Sequence, residues 1–137
     1  MERLRPYPVA GFAVLTLVIW GNRIWLAWTN DSDSVAEKLV WSTPITLFVL
    51  AAVAVLVLLV RGTHRSAPGF ARLVRAFAAG TIVFWAVRGP MILLADHEVA
   101  FKVVHAVLAM VSVGAAVAAW RSLDRVSAMS CAERISV

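Results

Sequence analysis

Apolar residues fall along the chain in four long blocks, 7–28, 39–60, 72–95 and 99–120, separated by short polar stretches. Each block holds about 20 residues, the length of α-helix that crosses roughly 30 Å of hydrocarbon. The second block is apolar on every side, with no polar stripe between Ile45 and Val60. The pattern therefore predicts an all-α integral membrane protein with four transmembrane helices. Short connections force consecutive helices to lie antiparallel and adjacent, which gives an up-down-up-down four-helix bundle. The whole chain, 1–137, is expected to be this one transmembrane domain, ending in a short tail, 121–137.

Punctuation between the blocks fits that division. Ser34 and Glu37 have the spacing of a capping box, which starts the second helix before the membrane. Pro44 then sits inside that helix, and Gly89-Pro90 interrupts the third; both are expected as kinks or hinges. Asp96 is placed to cap the fourth helix, with Glu98 in its first turn, where the positive end of the helix dipole favours an acid. The tail has the composition of either a short interfacial helix, with Leu123, Val126 and Met129 toward lipid, or a disordered end. Trp25, Trp28 and Trp41 gather at one boundary, while Tyr7 and Trp120 mark the other, as in an aromatic belt.

Composition narrows the class further. Of the 137 residues 61% are hydrophobic, and the mean hydropathy of +0.83 excludes an ordinary soluble domain. Arg3 and Arg5 before an apolar run imitate a signal peptide, but Trp28 stands where a small-residue cleavage site belongs, so a retained helix is expected. The net charge of +5 does not point to nucleic acid once its placement is considered. Arg3, Arg5, Arg61, Arg65, Arg72, Arg75, Arg121, Arg125 and Arg134 fall at the amino terminus, the second loop and the tail. Asp31, Asp33, Glu37, Asp96 and Glu98 occupy the other two loops, against a single Lys38. This is the positive-inside distribution, and it predicts both termini in the cytoplasm. The excess of arginine over lysine, with abundant Ala and Val, suggests a GC-rich bacterial genome and hence a bacterial cell membrane.

The candidate chemistry lies in 87–105, VRGPMILLADHEVAFKVVH, which keeps Arg88, Lys102 and His105 within otherwise apolar helices. At 1.5 Å per residue, Arg23, Arg88, Lys102 and His105 reach similar depths, roughly 5–10 Å beneath the outer surface. Asn22 joins them from the first helix. A charge at the bilayer centre costs roughly 2.5–3.5 kcal/mol, less near the interface, so such a group needs a partner, protein or water around it. Two explanations compete. In the structural one, Glu98 pairs with Lys102 four residues on, Arg23 and Arg88 snorkel or meet Asp31, Asp33 or Asp96, and His105 is hydrogen-bonded, for instance to Asn22. In the functional one, Gly89-Pro90 opens a cavity whose basic lining attracts a lipid phosphate, a carboxylate or an acidic group of a partner. A histidine changes charge near neutral pH, which adds a proton-carrying role for His105 as a further alternative.

The fourth helix also carries small residues at four-residue spacing, Ser112 with Ala116 and Gly114 with Ala118, which let helix backbones approach closely in lipid. They are expected to pack inside the bundle, to receive a second copy or another protein, or both. Catalytic signatures are missing: no GxSxG, HExxH or nucleotide-binding glycine pattern occurs. His105 is the only histidine within the spans, which argues against a bis-histidine haem. The single cysteine, Cys131, suggests neither an internal disulfide nor a metal site. In size and helix number the chain is similar to the small multidrug-resistance transporters. That family depends on a glutamate within its first helix, and the first span here contains no acid, so no family is assigned. The expectation is a non-enzymatic accessory or assembly subunit of a larger envelope or transport complex, without cofactor or metal, its basic cluster contacting a partner or anionic lipid. The alternative is a small homo-oligomeric carrier for an anionic or proton-coupled substrate.

Overall fold

A computed structural model describes residues 7–29, 34–62 and 69–135, which form four helices: α1 (Tyr7–Thr29), α2 (Val35–Val60), α3 (Phe70–Leu94) and α4 (Val99–Ile135). All four are long and apolar enough to cross a membrane, over Tyr7–Leu26, Ser42–Val60, Phe70–Leu94 and Val99–Arg125. The predicted blocks agree with these bounds to within a few residues, except at the end of α4. Past Trp120 the tail neither breaks off as a separate interfacial helix nor loses its structure; α4 runs on to Ile135. No Gly or Pro interrupts 121–135, and Ala, Arg, Leu, Met and Glu all favour helix there. At 1.5 Å per residue α4 is about 55 Å long, well beyond roughly 30 Å of hydrocarbon. Residues Asp31, Asp33, His64 and Arg65, and the side chains of Glu37, Trp41 and everything beyond Arg125, lie outside the described set.

Neither proline ends its helix. Pro44 lies inside α2, and α3 continues through Gly89-Pro90 to Leu94. A proline removes one donor and frees the carbonyl four residues earlier. Around Pro44, nearby hydroxyls hydrogen-bond to carbonyls of the preceding turn: Ser42 to Lys38 at 2.6 Å, Thr43 to Leu39 at 2.7 Å and Thr46 to Ser42 at 2.8 Å. The same device satisfies the buried hydroxyls of Thr16 and Thr81, which donate to Phe12 and Phe77. Hydroxyls in an apolar helix are thus paired within their own turn. Gly62, at φ 68, follows the end of α2 and donates its N–H to the Leu59 carbonyl at 3.1 Å, a left-handed stop that glycine adopts without strain.

The helices meet in a ring of neighbours: α1 with α2 and α4, α3 with α4 and, more lightly, α2. Each interior face follows three-and-four spacing. On α1 it comprises Val9, Phe12, Thr16 and Trp20; on α3 it comprises Phe70, Val74, Phe77, Thr81, Trp85 and Ile92. Two clusters result. One joins Val9 to Ala13 of α1, Ala52 and Val55 of α2, Phe70 to Ala78 of α3 and Ala116 with Ala119 of α4. The other centres on Trp20, Ile45 and Trp85. Rings link the two: Phe12 lies 4.4 Å from Phe77, and Phe48 lies 6.3 Å from Phe77 and 6.0 Å from Trp20.

Small residues on α4 divide between two sides. Ser112, Ala116 and Ala119 are buried, whereas Gly114 and Ala118 are exposed. Of the small residues on α4, Ser112 and Ala116 thus pack inside the bundle and Gly114 and Ala118 do not. Two residues turn a helix by about 200°, so Gly114 and Ala118 must face away from Ser112 and Ala116. An Ala119→Leu change should lower unfolding stability in detergent by about 1–3 kcal/mol through overpacking. Ala118→Leu should stay within about 0.5 kcal/mol, as substitutions away from the core do. Equal effects in a thermal or denaturant titration would contradict this division.

Candidate functional site

The inward face of α4 runs Lys102, His105, Ala109, Ser112, Ala116 and Ala119, and burial deepens along it. Lys102, His105 and Ala109 are half-buried; the last three are buried. Opposite lies the end of α3, where Arg88 continues the interior face between Trp85 and Ile92. Small alanines let α3 and α4 close at one end. Toward Lys102 they part around a cleft of about 220 Å³, whose walls include Gly89, Ile92 and Leu93 of α3 and Lys102, His105 and Ala109 of α4. No residue of α4 between Val99 and Val111 is buried, and none of α1 beyond Trp20 among those described. The half of the molecule that carries the basic groups has the thinner interior.

The candidate residues are only partly assembled. Lys102 and His105 share the cleft with Gly89. Arg88 is half-buried and already engaged in an interaction. Asn22 and Arg23 are exposed on α1 and do not line the cleft, and Pro90 is exposed beside it. Asn22 lies about 200° around the helix from the buried Trp20, which takes it off the interior face.

The expected pairings of this region also differ. Asp96 does not cap α4: the helix starts at Val99, so Glu98 occupies the flanking position and no acid stands in the first turn. Glu98 thus lies outside the helix proper. Its carbonyl accepts the Lys102 N–H at 3.2 Å, but among the described residues its carboxylate makes no ion pair with the Lys102 ammonium. His105 bonds to its own helix rather than to Asn22, with Nδ1 2.8 Å from the Phe101 carbonyl oxygen. A carbonyl oxygen only accepts, so the partner assigns the proton to Nδ1 and leaves Nε2 as the second polar atom of the ring. Phe101 is sandwiched between two imidazoles, with His97 at 4.7 Å and His105 at 4.0 Å. Phe101 and His105 are four apart on α4, a spacing present in the sequence but not used, whereas His97 reaches Phe101 from the turn before the helix.

Two further features escaped the sequence. Arg75 and Asp124 form an ion pair at 2.8 Å that ties α3 to the far end of α4. Their side chains are 39% and 52% exposed, so the pair contributes under about 1 kcal/mol. Asp124 is the acid standing between Arg121 and Arg125, and that context was the available hint. The indole N–H of Trp85 is buried without a hydrogen-bond partner, on the interior face of α3 one turn before Arg88 and Gly89. Among the described residues no three His, Cys, Asp or Glu side chains come together.

No protein family, curated protein or solved structure matches the chain.

The cleft is walled almost wholly by carbon, with Lys102 and His105 among the residues that line it. Beyond Lys102 and His105, the unpaired N–H groups of the first turn of α4 add the positive end of a helix dipole. A half-buried ammonium without a counter-charge is unfavourable for the isolated chain. Lys102→Met should therefore raise the unfolding midpoint in detergent, by less than the roughly 2.5–3.5 kcal/mol assigned to a charge at the bilayer centre. A lowered midpoint would mean that the ammonium is held by a compensating partner.

Proposed function

We propose that this protein is a non-enzymatic multi-pass protein of the bacterial cell membrane, an accessory or assembly subunit of a larger envelope or transport complex. In this reading the helices alternate in direction across the membrane and both termini are cytoplasmic. The alternation is supported by the composition of the first cluster, which draws on the starts of α1 and α3, the later half of α2 and the later half of the α4 span, Val99–Arg125. Orientation follows from the arginines of the second loop and the tail, set against the acids of the other loops.

The observation that carries the subunit reading is the exposed side of α4. Ala100, Val104, Val107, Val111, Gly114 and Ala118 are all exposed. They recur at alternating spacings of four and three, the repeat of a helix seam made for another helix. Small and β-branched side chains in such a row let a second backbone approach closely. The interior is filled by Phe12, Val55, Val74 and the Trp20–Phe84–Trp85 rings, which leaves little room for a pathway within one chain.

A second reading is a homo-oligomeric carrier for an anionic or proton-coupled substrate, with the same row of α4 meeting a second copy. Its support is the Lys102–His105 cleft. Purification in mild detergent separates the two. The subunit reading expects other membrane chains in stoichiometric amount, lost from the Gly114→Leu, Ala118→Leu double variant while helicity is kept. Recovery of a dimer or tetramer of this chain alone would contradict it and support the carrier.

A further inference from the structure

We propose that the cleft between α3 and α4 is a binding site for one anionic phospholipid, its phosphate on the Lys102 ammonium and one acyl chain lying past Gly89 and Ala109. The proposal rests on reading the Lys102 end as a contact for an anion, and it names that anion's chemistry.

Three observations carry it. The first is charge. Lys102 is half-buried and has no ion-pair partner among the described residues. Glu98, which flanks the first turn of α4, makes no ion pair with the ammonium among the described residues. Anionic lipid supplies the missing charge at the depth where the ammonium lies, three residues into the helix.

The second is polarity along the cleft. Its lining on α4 runs from Lys102 and His105 to Ala109 and Met110, a rise of about 12 Å. Along an almost wholly apolar lining the two basic residues come first and Ala109 and Met110 last, the order of parts in an amphiphile. A free phosphate would satisfy the ammonium but would have to shed water against Ile92 and Leu93 without replacement partners. Tethered to acyl chains, the same phosphate arrives with a tail that matches those walls.

The third is size. The cleft, of about 220 Å³, has three small residues, Gly89, Ala106 and Ala109, on its walls. No atom lies within 4 Å of where a Cβ on Gly89 would stand, so a larger side chain there has room beside the cleft. The partner-facing row, Val104 to Ala118, occupies the other side of α4, so lipid and partner do not compete for one surface.

Native mass spectrometry of the full chain, with phosphatidylglycerol and phosphatidylcholine of matched chains, tests the site. Wild type should retain one phosphatidylglycerol, preferred about fivefold over phosphatidylcholine, from the attraction of one basic residue to anionic lipid. Lys102→Gln should abolish the preference, Lys102→Arg should keep it, and Lys38→Gln, at another half-buried cation, should leave it unchanged. Gly89→Leu places its side chain in open space, so it should fold normally yet lose the lipid. That variant decides the matter even if Lys102→Gln does not fold. Equal retention of both lipids by wild type would overturn the proposal, as would a Lys102→Gln variant indistinguishable from wild type. Displacement by glycerol phosphate would overturn the lipid as ligand, because the headgroup alone would then suffice. Partner recovery, followed in the same Gly89→Leu preparation, reports on the subunit reading separately: lipid lost with partner kept supports the cleft, and lipid kept overturns it whatever the partner does.

Discussion

Alanines at Ala13 of α1, Ala52 of α2, Ala78 of α3 and Ala116 and Ala119 of α4 are all completely buried, and the packing of the four helices depends on them. In hydrocarbon an apolar side chain gains little by leaving lipid for protein, because both surroundings are equally greasy. What remains is close contact, and a methyl side chain permits the closest approach of two backbones that still leaves something to pack. Around these contacts Phe12, Val55, Val74 and Phe77 fill the remaining space. Larger aliphatic residues such as Leu47 and Leu50 face outward, where fit is less demanding.

That packing is uneven along the molecule, and the unevenness gives the basic residues their meaning. The interior face of α4 changes from alanine to serine, histidine and lysine as it runs back toward Val99, and α3 carries Arg88 and Gly89 at the matching level. Long or polar side chains do not interlock as alanines do, and at this level a cleft lies between α3 and α4. Charge and space thus lie together. A chain selected only for stability would have continued the alanine face, because an ammonium without a counter-charge at this depth is costly. Keeping Lys102 there is reasonable if something anionic offsets it.

Much of the fold was legible from the lengths of the apolar blocks, because a helix that must satisfy its own backbone in lipid has few alternatives. Of the two alternatives for the tail, 121–135 is helical, but its polar composition did not show that it would continue α4 with no breaker in the way. Which side of each helix faces inward was less visible. A helix apolar all round, such as α2, carries no amphipathic signal, and on α4 the two pairs of small residues looked alike although they face opposite ways. The candidate site was half legible. Lys102 and His105 share a helix, so their spacing placed them together. Asn22 and Arg23 depended on the rotation of α1, and depth alone does not determine rotation. The Glu98–Lys102 pair failed because the helix began one residue later than the pairing requires. Arg75 and Asp124, on different helices, could meet only through tertiary structure.

Reactivity of single cysteines toward a small charged thiol reagent tests the contrast between a closed and an open end most directly. In a Cys131→Ser background, Ala106→Cys and Ala119→Cys place thiols at comparable distances from opposite ends of the α4 span, Val99–Arg125. With both membrane faces exposed to reagent, the account predicts that the thiol at position 106 is modified and the thiol at 119 is protected. Equal labelling of the two, or protection of position 106 alone, would contradict it.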